Sequence, residues 1–127
     1  MKAKKILIVD DEEDILDLVS DAFDAIEGYS STHARDGLEA LAAAREHNPD
    51  LMILDIQLPK LDGYQVCKLL KLDAVLSRIK VLMISGIVQN WDKTEALLVG
   101  ADGYLAKPFS LEALVAKTEE LIGSEGA

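Results

Sequence analysis

Short, unbroken apolar runs constrain this chain more than any other feature. Ile6-Leu7-Ile8-Val9, Leu51-Met52-Ile53-Leu54 and Val81-Leu82-Met83-Ile84 are apolar at every position and only four residues long. A strand exposed on one face alternates apolar and polar residues. A run without alternation is buried on both faces, as in the centre of a parallel sheet. Between the runs lie stretches with helical periodicity. Ile15, Leu18, Val19, Ala22, Phe23 and Ile26 form a stripe that stops near Gly28, and Tyr29 to His33 follows as a weaker strand. Asp36 with Glu39 has the spacing of a capping box for a second helix, which Asn48-Pro49 ends. Asp62 with Gln65 repeats that spacing before Val66, Cys67, Leu69 and Leu70. A fourth helix is expected from about Trp91 to Val99. A short strand around Tyr104-Leu105 and a last helix capped by Ser110 complete the series. Five β-α units predict an α/β fold, a parallel five-stranded sheet with helices on both faces.

At 127 residues the chain suits one domain, with a core from about residue 5 to 122 and 123–127 as a tail or the start of a linker. Its apolar runs are far shorter than the roughly 20 residues that cross a bilayer, so membrane insertion is not expected. The single cysteine, Cys67, has no internal disulfide partner and reads as packing in a reducing, cytoplasmic protein. A net charge of −10 argues against direct binding of nucleic acid, which needs clustered Lys and Arg. His33 and His47 have no ligand-like neighbours. Trp91 is either a partly buried aromatic or an exposed anchor for a partner.

Ligands of such sheets bind beyond the carboxyl ends of the strands, so the residues there matter most. The first strand ends in Asp10-Asp11, the third in Asp55, the fourth in Ser85, and the fifth leads to Lys107-Pro108. Each has an ordinary explanation: a turn-forming Asp or Ser, an acidic first helical turn, a solvated lysine. Those explanations leave their shared placement unaccounted for. Three neighbouring carboxylates repel, and a divalent cation with a preference for oxygen ligands relieves that repulsion. Phosphoryl transfer to a carboxylate uses the whole set: an exposed Asp nucleophile, a metal, and a cation and hydroxyl for the phosphoryl oxygens.

The chain closely resembles the receiver domain of two-component response regulators, the CheY-like family, from Lys5 to about Ile122. The resemblance rests on Val9-Asp10-Asp11, Leu54-Asp55-Ile56-Gln57-Leu58-Pro59, Asp62-Gly63, Ile84-Ser85-Gly86, Gly100-Ala101-Asp102-Gly103-Tyr104 and Lys107-Pro108-Phe109. These fall in order at intervals of 44 residues (Asp11 to Asp55), 30 (Asp55 to Ser85) and 22 (Ser85 to Lys107).

The resemblance implies a flavodoxin-like (βα)5 fold with strand order 2-1-3-4-5. It implies that a histidine kinase or histidine phosphotransfer protein phosphorylates Asp55. Mg²⁺, with Mn²⁺ as a substitute, would be held by Asp10, Asp11, Asp55 and the backbone carbonyl of Gln57. Ser85 and Tyr104 would form a coupled switch, Lys107 would bind the phosphate, and Lys107-Pro108 would be a cis peptide. A downstream protein or output domain would bind at the 91–122 face. Such a domain catalyses only its own phosphorylation and dephosphorylation. Gly86 stands where the family usually has alanine, and Gln57 and Ile87 occupy positions at which the family tunes phosphate lifetime.

The competing reading is a Mg²⁺-dependent phosphohydrolase of the haloacid-dehalogenase type. Those enzymes carry a second Asp, the general acid, two residues after the nucleophile, where this chain has Gln57. A single-domain regulator and a receiver cut from a longer regulator are both compatible with the sequence.

Overall fold

Strand alternation organises the molecule, as a computed structural model shows for residues 3–86, 96 and 98–123. Five strands, β1 (Lys4–Val9), β2 (Tyr29–Ala34), β3 (Leu51–Asp55), β4 (Lys80–Ser85) and β5 (Gly103–Ala106), form one sheet in the order β2-β1-β3-β4-β5. Every pairing is parallel. This is the doubly wound, flavodoxin-like topology implied by the motifs. Successive side chains of a strand point to opposite faces. Leu7, Val9, Met52, Leu54, Val81 and Met83 therefore build one core, while Ile6, Ile8, Leu51, Ile53, Leu82 and Ile84 build another. Full burial on both faces explains why these runs carry no polar alternation.

Helices α1 (Glu13–Asp24) and α4 (Leu111–Ile122) supply residues to the second core. Helices α2 (Gly37–His47) and α3 (Gly63–Leu72) supply the first. A 3₁₀ turn at Leu76–Arg78 leads into β4. The helix expected over Trp91–Val99 lies mostly outside the described residues, as do Trp91 and Ile87. Within it, Ala96 is helical and buried.

Local chemistry explains the helix starts. Asp62 and Gln65 make the full capping box of α3, at 2.9 and 3.0 Å. Asp36 caps α2 by accepting from Glu39 N at 2.8 Å, and Ser110 caps α4 by accepting from Ala113 N at 3.0 Å. The α1 stripe differs from its expected phase: Leu18 is 53% exposed, while Leu16, Val19 and Phe23 form the buried line. Leu69 of α3 likewise faces solvent. β2 extends one residue beyond His33, to the buried Ala34.

Candidate phosphoryl-acceptor and metal site

Register places the strand ends side by side. Val9 pairs with Leu54, Asp55 with Ile84, and Ser85 with Ala106, so Asp10, Asp55, Ser85 and Lys107 gather on one rim. The rim includes the β1–β3 boundary, where the order of strand addition reverses and a crevice forms. The same alternation divides these residues. Asp10, Asp55 and Lys107 follow the parity of Ile8, Ile53 and Leu105, on the α1/α4 side. Ser85 follows Val81 and Met83 toward the α2/α3 side, where Tyr104 packs half-buried against that core.

On the α1/α4 side, Lys107 Nζ donates to Asp10 Oδ2 at 3.0 Å and to Asp55 Oδ2 at 3.1 Å. A longer contact of 3.5 Å reaches Glu12 Oε1. The second oxygen of each aspartate accepts a backbone N–H: Asp55 Oδ1 from Gln57 at 3.0 Å, and Asp10 Oδ1 from Glu12 at 2.9 Å. The two carboxylates are thereby fixed in orientation while buried to 4% and 0% residual exposure. Asp11 is exposed, and carboxylate oxygens of Asp10, Asp11 and Asp55 lie within 4.8 Å of one another. That spacing and an all-oxygen donor set fit a hard divalent cation.

Electrostatics follow from this packing. Burial, then the charge of Asp10, raises the Asp55 carboxyl to about 6, against the opposing pull of Gln57 N–H and Lys107. Burial alone would lower the Lys107 ammonium. Its hydrogen bond to Asp10 and the charges of Asp55 and Asp10 outweigh burial and raise it to about 12. Lys107 therefore stays charged at neutral pH.

Gly63 sets how closely α3 approaches Asp55. A Cβ there would stand 2.5 Å from Asp55 O and 2.7 Å from Ile56 Cα, and Gly63 N donates to Ile56 O at 2.8 Å. The Lys107–Pro108 peptide is cis, as the motif implied. Beside Lys107 a cavity of about 440 Å³ opens between α1 and the loop into α4, with Ile15, Leu18, Pro108 and Phe109 among its apolar lining.

A model of the response regulator receiver domain matches residues 6–119, nearly the whole chain. The chain belongs to the receiver domain family. The receiver is 42% identical over 118 residues to the DNA-binding dual master transcriptional regulator RpaA of Synechocystis sp., covering 93% of this chain and 48% of that protein. It is 37% identical to the polar-differentiation response regulator DivK of Brucella ovis, covering 94% of this chain and 97% of that one. It thus spans about half the length of the first relative and nearly all of the second. Among solved structures, chemotaxis protein CheY4 of Vibrio cholerae superposes with a TM-score of 0.87 at 32% identity, covering 94% of this chain and 98% of that one. These matches are to signalling receivers, not to phosphohydrolases, so the enzyme alternative is set aside.

Asp10, Asp11, Asp55, Gln57, Ser85 and Lys107 stand at or just past strand ends on this rim, and Tyr104 stands within β5, paired with Met83. Sequence reasoning did not single out Glu12, whose contact with Lys107 joins residues 95 apart in the chain. Among the described residues no helix is long and apolar enough to cross a membrane.

Proposed function

We propose that Asp55 accepts a phosphoryl group from a phosphohistidine of a histidine kinase or histidine phosphotransfer protein. The observation that carries this reading is the pinning of Asp55 at the end of a central strand, one oxygen on Gln57 N–H and the other on Lys107. An Asp55 carboxylate oxygen attacks phosphorus and the phosphorus–nitrogen bond breaks, its electron pair remaining on the imidazole nitrogen. Asp10, Asp11, Asp55 and the Gln57 carbonyl are the proposed ligands of Mg²⁺, for which Mn²⁺ substitutes. Bound there, the cation neutralises charge on the transferring oxygens. Lys107, charged and half-buried, bonds a phosphoryl oxygen.

Formation of the acyl phosphate removes the Asp55 carboxylate charge and places a phosphoryl dianion beside the end of β4. Ser85 turns to that group and Tyr104 repacks, which shifts an existing equilibrium at the 91–122 face toward binding a downstream protein or output domain. A receiver working this way catalyses only its own phosphorylation and dephosphorylation. The acidic surface, with net charge −10, supports protein partners rather than nucleic acid.

Incubation with a small phosphodonor and Mg²⁺, followed by intact-mass measurement, tests the proposal. Wild type should gain one phosphoryl mass and Asp55→Asn none, and chelation should abolish the gain. Equal labelling of both proteins, or of neither with metal and a cognate kinase present, overturns it.

A further inference from the structure

Lys107 carries three N–H donors, and three carboxylates lie around it. Asp10 and Asp55 take two at 3.0 and 3.1 Å, and Glu12 stands at 3.5 Å. An ammonium has no fourth donor. A phosphoryl oxygen can bond Lys107 only by replacing one of these partners. The three differ sharply in what replacement costs. Asp10 and Asp55 are buried, and their carboxylates would lose a charged partner where water is scarce. The Glu12 side chain is 63% exposed, so water takes over when its contact breaks.

A second observation concerns the same side chain. Glu12 is the residue at which α1 begins, with extended backbone angles, yet its side chain makes no capping hydrogen bond to the helix. Its backbone is instead held by Asp10 Oδ1, and the carboxylate reaches Lys107 at the mouth of the cavity that both residues line.

We infer that Glu12 is a positioning residue for Lys107: it occupies the third N–H and is the carboxylate that an incoming phosphodonor oxygen displaces. It biases the site against small, highly charged donors. A donor that brings its own contacts to the neighbouring surface offsets the displacement; a small anion in solution does not. This inference rests on the receiver reading of Asp55.

The test compares Glu12→Gln with Asp14→Asn, which removes an equal charge from the exposed first turn of α1. Phosphorylation rates are measured against donor concentration at saturating Mg²⁺, with dianionic acetyl phosphate and with monoanionic phosphoramidate. For Glu12→Gln the slope of rate against acetyl phosphate should rise about threefold at low ionic strength. The rise should be smaller for phosphoramidate and should shrink in high salt. Asp14→Asn should stay within about 1.5-fold of wild type, as expected of a screened surface charge. A second readout needs no phosphorylation. In metal-free protein the NMR signal of the Lys107 ammonium should shift and exchange faster with water in Glu12→Gln, and remain in place in Asp14→Asn. Equal effects of the two substitutions on rate, or an unmoved Lys107 signal in Glu12→Gln, overturn the inference. Failure of wild type to label at Asp55 would instead remove the receiver reading beneath it.

Discussion

A carboxyl held near pH 6 gives the metal-free protein a distinctive acid response. Asp55 is raised first by burial and second by Asp10. Below about pH 4 the group is protonated in both folded and unfolded chains and does not affect stability. Between about pH 4 and 6 the folded chain keeps a proton that the unfolded chain has lost, so stability falls as pH rises. Above about 6 the whole cost is present, on the order of 2–3 kcal/mol. Urea unfolding of wild type and Asp55→Asn in metal-free buffer should show this directly. The substitution should be close to neutral at pH 4 and stabilising at pH 7. A constant difference across that range would refute the assignment. At this scale the shared placement of the candidate residues was legible in the sequence, because acid, acid, hydroxyl and lysine each stand at or just past a strand end. Their hydrogen-bond partners were not legible. That Asp10 turns one oxygen to Glu12 N and the other to Lys107 depends on a contact across 97 residues.

The elements show a similar division. β1, β3 and β4 were legible because burial on both faces leaves no polar position within their apolar runs, and α3 because its capping box is a local sequence pattern. The phase of α1 was less legible. Apolar residues at 15, 16, 18 and 19 are compatible with more than one centre line, and packing against β1 and β3 selects Leu16-Val19-Phe23 and leaves Leu18 outside. The site depends on one such contact between elements. Gly63 lets α3 start against the backbone that follows Asp55, and Gly63→Ala would force that backbone and the helix apart. We expect a loss of about 1–3 kcal/mol in thermal or chemical unfolding, as for an overpacked core, together with slower Asp55 labelling. Unchanged stability and labelling would show that the helix can withdraw without moving the acceptor.

For the whole molecule, net charge of −10 and a cluster of three acids at one end of the sheet would make binding of a cation there a stabilising event. Mg²⁺ at a hundred times its dissociation constant should stabilise the fold by about 2.7 kcal/mol if it binds only the folded state. Sodium chloride at equal ionic strength should give less, and Asp11→Ala should remove the difference between the two salts. An identical melting-temperature rise with both salts in wild type would argue for screening alone. At the far end of the sheet, Lys71 donates to Ile79 O at 2.8 Å and Asp102 Oδ2 at 3.0 Å, while Val81 N also reaches Asp102 Oδ2 at 2.9 Å. That end is cross-linked by side chains, as the rim is by Lys107. Strand parity then has a consequence for how the molecule can diversify. Asp55 and Lys107 lie on one face, Ser85 and Tyr104 on the other, with a single layer of backbone between them. On the proposed function, residues that would admit a donor and residues that would present a result therefore lie on separate faces. One set can drift toward a new upstream protein while the other keeps its downstream one, and the strand ends remain the only parts that both must leave alone.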